Sequence, residues 1–142
     1  MKDTLQPGLS HVLEFTVPHA KTVPYLYPES DIYRGMPAVF ATGFMVGLFE
    51  WAAVELLRAH LDDGEGSLGT HIDVSHEAAT PPGMTVTATA RLIEVDGRRV
   101  VFEVEAHDGA DVIGRGRHER TLVKWSRFED KLAEKAGDTT LS

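Results

Sequence analysis

Cysteine is absent from this 142-residue chain. That excludes disulfides, thiolate metal sites, iron–sulfur clusters and any cysteine nucleophile. Asparagine is absent as well, so there is no N-glycosylation acceptor and no Cys-His-Asn arrangement. No run of about 20 apolar residues occurs, so no membrane span is expected. The first residues, Met1 to Thr16, carry no apolar run behind a basic start, so no signal peptide is expected and a cytoplasmic location is the default reading. Positive charge is scarce: 14 basic against 22 acidic side chains give a formal net charge of −8. Such a balance argues against a nucleic-acid partner, whose phosphates demand clustered positive charge. What is present, 42% hydrophobic and 25% charged residues, describes a soluble globular protein. The length suits one domain, 1–142, able to bury about 70% of its unfolded surface.

The chain shows no repeat and no interdomain linker. Residues 9–17 (LSHVLEFTV) predict a first strand. Residues 18–40 then hold four of the seven prolines and all three tyrosines, Tyr25, Tyr27 and Tyr33, together with Met36 and Phe40. An irregular stretch of that length with so many aromatics reads as a packed lid or pocket wall. Residues 42–61 predict a long helix with Thr42 as N-cap, ended by the acidic, glycine-rich DDGEG at 62–66. From Gly43 to Val54 its one polar side chain is Glu50, so other elements should enclose it. Those elements read as β-structure: 69–78, 84–95, 99–107 and 111–124, divided by TPPG at 80–83 and by Asp-Gly at 96–97 and 108–109. In 99–107, Val100, Phe102, Val104 and Ala106 alternate with charged residues, the pattern of an antiparallel sheet with one buried face. The tail, 126–142, begins with a possible short surface helix over 126–136. The inventory gives an α+β fold, an antiparallel sheet of about five strands curled around one long central helix. Its open edges make a homodimer the expected assembly.

Three motifs promise more than they hold. Gly64, Gly66 and Gly69 spell G-x-G-x-x-G, but a helix precedes and a strand follows, the reverse of the dinucleotide fingerprint. GRGRHER (114–120) is basic yet sits on a strand of an acidic protein, and reads as a solvated face or a local anion contact. Seven histidines are present without metal-ligand spacing, and His71 and His76, five apart on a strand, point to opposite faces. No metal is expected.

Three residues stand out. Glu50 is a carboxylate on an apolar stretch of helix, costly unless paired, hydrogen-bonded or protonated. The bland alternative is a structural acid held by an arginine. His76 falls on the apolar face of its strand with Ile72, Val74 and Ala78, aimed at the helix that carries Glu50. A lone inward histidine is more often a core residue, but two inward ionisable groups on facing elements are how acid/base pairs are built. Thr42 as a helix cap needs no further explanation; a hydroxyl at a helix N-terminus is also placed to orient a carbonyl or to attack one.

VFATGFMVGLFEWAAV (39–54), GEGSLGT (64–70), AATPPGMTVT (78–87), AHDG (106–109) and GRGRHER (114–120) resemble fluoroacetyl-CoA thioesterases, a group of hotdog-fold enzymes. The resemblance runs from about Val17 to Lys124. It implies a hotdog fold, a homodimer and hydrolysis of a small acyl-CoA, with coenzyme A as part of the substrate and no further cofactor. It implies catalytic roles for Thr42, Glu50 and His76: His76 in proton transfer, Glu50 as base or nucleophile, Thr42 orienting or attacking the acyl carbonyl. It implies substrate contacts from Gly69, whose amide would serve as an oxyanion donor, and from Arg120. Tyr33 and Met36 depart from it, since that group carries phenylalanine at both lid positions; a different or less selective choice of small acyl group is the consequence. Two rival readings remain at this point: a hotdog hydratase or dehydratase on enoyl or hydroxyacyl thioesters, and a non-catalytic acyl-CoA-binding dimer.

Overall fold

The computed structural model describes residues 1–137, so the last five residues of the expected tail, 138–142, lie outside the described residues. Five strands, β1 (Ser10–Thr16), β2 (Glu65–Val74), β3 (Thr85–Asp96), β4 (Arg99–His107) and β5 (Val112–Lys124), form a single antiparallel sheet in the order β1-β3-β4-β5-β2. Three helices accompany it: α1 (Asp31–Arg34), α2 (Thr42–Arg58) and α3 (Trp125–Ala136).

The core lies between α2 and the sheet. Met45, Leu48, Phe49, Ala52, Ala53, Leu56 and Leu57 recur at helical spacing and are all buried. Beneath them β3 contributes Val86, Ala88, Ala90 and Leu92, and β4 contributes Val100, Phe102, Val104 and Ala106. The alanines of β3 let the helix settle close to the sheet while Phe102 and Phe49 fill the remaining space. The expected alternation of 99–107 is present apart from Val101, which is buried although it shares the outward parity. The hairpin glycines Gly97 and Gly109 have φ of +60° and +91°, values that match the Asp-Gly signals of the sequence.

Four expectations change. The helix ends at Arg58, three residues before the predicted end, and its N-cap is Ala41, so Thr42 is the first helical residue and caps nothing. Nor is α2 enclosed all round: Gly43, Gly47, Trp51 and Val54 are exposed along one stripe. β2 begins at Glu65 instead of 69 and stops at Val74, short of His76. GRGRHER splits between two faces, with Arg115 and Arg117 exposed while His118 and Arg120 are buried. Strand alternation explains that last split.

The segment 18–40 is ordered by short turns, not left as an open loop. Two single-turn helices, His19–Lys21 and Val23–Tyr25, precede α1, whose Ser30 side chain accepts from the Tyr33 amide. An isolated bridge between Thr22 and Phe40 and the bond from Ala41 N to Lys21 O fasten the segment to the start of α2.

The connection from β2 to β3 continues alongside β5 after Val74, with bonds from Ser75 N to Arg115 O and from Glu77 N to Ile113 O. Glycines on β5 make this possible. A Cβ on Gly114 would lie 2.5 Å from Ser75 O and 2.9 Å from Met45 Sδ. Gly116, at φ +154°, faces the Asp73 carbonyl directly. Gly116→Ala is therefore expected to lower the unfolding free energy by about 1–3 kcal/mol, the cost of overpacking. Urea denaturation measures it, and an unchanged midpoint would mean that β2 has room to retreat.

Candidate active site

The start of α2 and the segment after β2 bring Thr42 and His76 together. Thr42 Oγ1 lies 2.6 Å from His76 Nδ1. No side chain caps α2. The hydroxyl that the sequence offered as a cap is instead committed to the imidazole. Nε2 of His76 is enclosed and has no hydrogen-bond partner. Burial pushes the imidazole pKa below 6.5, against which the backbone of Ala78 pulls upward. The ring is thus neutral at pH 7 and free to accept a proton from an oxygen held 2.6 Å away.

Glu50, two turns further along α2, meets Arg120 on β5. Arg120 Nη1 donates to Glu50 Oε1 at 3.1 Å. The pair is lopsided: the arginine side chain is 7% exposed, the glutamate 41%. The carboxylate is therefore paired, as the costly-burial argument required, but it also keeps one side open to solvent. Arg120 is anchored elsewhere too, through Nε to Ser67 Oγ at 2.8 Å and Nη2 to Ser67 O at 3.0 Å.

Gly69 is drawn into this second cluster by an irregularity in β2. The ladder with β5 slips between Gly69 and His71, leaving Thr70 as a bulge. Strict alternation over 69–78 would place Gly69 and His76 on opposite faces; the extra residue puts both on the helix side. A Cβ at Gly69 would run into Glu50 Oε1 and lie 3.3 Å from Arg120 Nη1 and from His118 Cε1. Glycine is needed there for space.

The predicted residues thus form two groups. Thr42 and His76 make one, and Glu50, Gly69 and Arg120 make the other. Eight residues at about 1.5 Å rise separate Thr42 from Glu50, or about 12 Å along the α2 axis. Tyr33 and Met36, expected to line a lid, join neither group directly. Tyr33 packs its ring 6.0 Å from Tyr27, and Met36 is 40% exposed. Leu26 lies against the first turn of α2, where a Cβ on Gly43 would be 3.1 Å from its Cδ1. Two polar residues escaped the sequence reading, Ser67 and His118. The signal for His118 was available: it shares the inward parity of Leu122 on β5.

Comparisons with known proteins place the chain in a family. A model of the fluoroacetyl-CoA-specific thioesterase family matches residues 27–126. The chain is 53% identical to the fluoroacetyl-CoA thioesterase of Streptantibioticus cattleyicolor over 95% of its own length and 97% of that protein's. A solved structure of a fluoroacetyl-CoA thioesterase superposes with a TM-score of 0.91 at 53% identity, covering 94% of this chain and 98% of the other. A Thermus thermophilus protein described as a thioesterase superfamily member gives a TM-score of 0.83 at 29% identity, with 94% of each chain covered.

The imidazole makes a direct test possible. Its folded pKa is depressed below 6.5, so the stability that the neutral ring contributes is present above 6.5 and is lost as pH falls through the folded value. In an NMR titration the midpoint of the His76 ring signals is expected below pH 6.5. A midpoint above that value would mean that the ring is not desolvated as described.

Proposed function

This chain belongs to the fluoroacetyl-CoA-specific thioesterase family, and from that membership we propose that it hydrolyses a short acyl-CoA thioester, fluoroacetyl-CoA or a close relative, to the free acid and coenzyme A. The observation that carries the reading is the Thr42 Oγ1–His76 Nδ1 contact of 2.6 Å at an uncapped helix start. A neutral imidazole there accepts the hydroxyl proton, or that of a water held by the hydroxyl, as oxygen attacks the thioester carbonyl. The positive end of the α2 dipole favours the oxyanion that develops. The Gly69 amide is proposed as a further oxyanion donor, and Arg120 as the cation near the acyl group. Glu50 supplies the carboxylate, as base or nucleophile. His76 then returns its proton to the leaving thiolate of coenzyme A; where Thr42 itself attacked, a water that gives its proton to His76 then cleaves the acyl-threonine, releasing the acid and restoring the hydroxyl.

The scheme uses no metal and no cofactor beyond the coenzyme A of the substrate. Among the described residues no three His, Asp or Glu side chains gather as a metal-binding group. Also among the described residues, no helix is long and apolar enough to cross a membrane. A cytoplasmic location belongs to the same reading, supported by a substrate whose phosphates keep it from crossing membranes.

A homodimer is part of the proposal. β2 is an edge strand, and Gly69 to Asp73 are exposed along it. Ile72 on it and Val54 on α2 leave apolar surface at 38% and 40% exposure, while Trp51, 46% exposed, packs on Phe15 of β1 at the opposite edge. With about 12 Å between the two groups on one helix, a second copy is proposed to set its Glu50 group against the first copy's Thr42 and His76.

Three measurements test this. Release of free thiol from short acyl-CoAs, fluoroacetyl-CoA included, should fall by a factor on the order of 100 or more in His76→Ala, the typical worth of an acid/base residue; equal rates in the two proteins end the hydrolase reading. Mixing inactive Thr42→Ala and Glu50→Gln chains should restore about a quarter of wild-type activity if one site draws on two chains, because half of the dimers are mixed and each mixed dimer has one intact site. No restoration places the whole site on one chain. Met36→Phe should raise the ratio of fluoroacetyl- to acetyl-CoA hydrolysis by restoring an aromatic ring to the lid, and an unchanged ratio removes Met36 from selectivity.

A further inference from the structure

His118 has no place in the scheme above, yet it is completely buried, with 0% of its surface exposed. Its two ring nitrogens are both engaged. Nδ1 lies 2.8 Å from the carbonyl oxygen of His71, and Nε2 lies 3.1 Å from Arg120 Nη1. These partners settle the proton. A carbonyl oxygen only accepts, so Nδ1 carries the hydrogen and donates. A guanidinium only donates, so Nε2 offers its lone pair and accepts from Nη1. His118 is held as one neutral tautomer.

The consequence falls on Arg120. Its Nε and Nη2 are fastened to Ser67, and its Nη1 has two hydrogens to place. One goes to Glu50 Oε1 at 3.1 Å and the other to His118. A guanidinium and a carboxylate left to themselves favour a two-point fork. Here the contact involves Oε1 alone, and Oε2 of Glu50 is not bonded to the arginine.

We propose that His118 is the positioning residue of this site: by accepting one N–H of Arg120 it keeps the Arg120–Glu50 contact single-pointed, so that Glu50 Oε2 stays available to the substrate or its water. The inference rests on the hydrolase reading for its kinetic consequence, though not for the contact itself. Burial and Arg120 favour the neutral acceptor, while the His71 carbonyl, Glu50 and Glu119 pull toward the charged ring without prevailing. The own strand of His118 brings Arg120 and Glu119, α2 brings Glu50, and β2 brings the His71 carbonyl, with the His71 side chain acting on Glu119. β4 brings the Phe102 ring, stacked at 6.3 Å and 27°. A proton on Nε2 would abolish the acceptor and set two cations side by side. Burial and Arg120 hold the His118 pKa below 6.5, with the His71 carbonyl pulling the other way.

Two substitutions separate the ring's two bonds. In His118→Gln the amide oxygen reaches the position of Nε2 and can accept from Arg120. In His118→Asn the shorter amide can only replace Nδ1 and donate to His71 O. For Asn, kcat for thiol release is expected to fall by about tenfold to 100-fold with KM changed by less than about threefold, whereas Gln stays within about threefold of wild type. The Arg120 side-chain N–H signals, followed by NMR, are expected to exchange with solvent faster in Asn than in Gln or wild type. Equal kcat and equal exchange in the two variants overturn the proposal. Should wild type release no thiol from any acyl-CoA, the hydrolase reading falls, and the exchange measurement alone still decides whether His118 holds Arg120.

Discussion

One buried guanidinium ties the working parts of this molecule together. Arg120 projects from β5 into the interior and touches three elements at once: Ser67 on β2, Glu50 on α2 and His118 on its own strand. Taking an arginine out of water is costly, and only acceptors for its N–H groups make it tolerable. Ser67, Glu50 and His118 supply acceptors for four of its five N–H groups. Gly69 has no side chain to obstruct Glu50, the Thr70 bulge turns Gly69 toward the helix, and His118 is held as an acceptor. The sheet edge and the central helix are thereby joined by polar contacts in a region where the rest of the interior is apolar.

The Thr42–His76 pair depends on a different constraint, the closeness of two backbones. Gly114 and Gly116 allow the chain beyond β2 to lie against β5, and that approach carries His76 to the start of α2. The first pair is anchored by charge and the second by missing side chains. They therefore respond to different substitutions: a removed acceptor disturbs Arg120, whereas an added methyl group displaces His76.

Much of this was legible in the sequence. The strand alternation in 99–107, the Asp-Gly turns and the apolar helix gave the sheet, its order of hairpins and the element at its centre, because burial imposes its period directly on the residues. Glu50 and His76 were visible as polar residues on apolar faces. Other features were not legible, for three physical reasons. A bulge changes parity without changing composition, so nothing in 69–78 announced that Gly69 and His76 share a face. Thr42 satisfies the rule for a helix cap, and only its distance to an imidazole 34 positions away shows that the hydroxyl is used otherwise. His118 was hidden in GRGRHER, and Arg120 was named there only through the family resemblance, because a run of charges reads as a surface until strand alternation divides it. Enclosure of α2 was overestimated for a related reason: apolarity on Gly43, Gly47, Trp51 and Val54 signals a face that some neighbour should cover, without saying that the neighbour lies in the same chain.

The bulge at Thr70 also governs how this protein can diversify. A strand with an unpaired residue stores a change of phase, and two site residues on either side of it are aligned only while that phase is kept. Deletion of one residue between Gly69 and His76 would turn one of them to the wrong face, as would an insertion, whereas loss or gain of two would preserve parity. Length change in this stretch is therefore quantised in pairs. The segment from 18 to 40, joined to the helix start by short turns and a bridge, carries no such parity. Variation in length and composition has a free path through 18–40 and a barred one through β2, so descendants of this scaffold would be expected to differ in the first and to agree in the second.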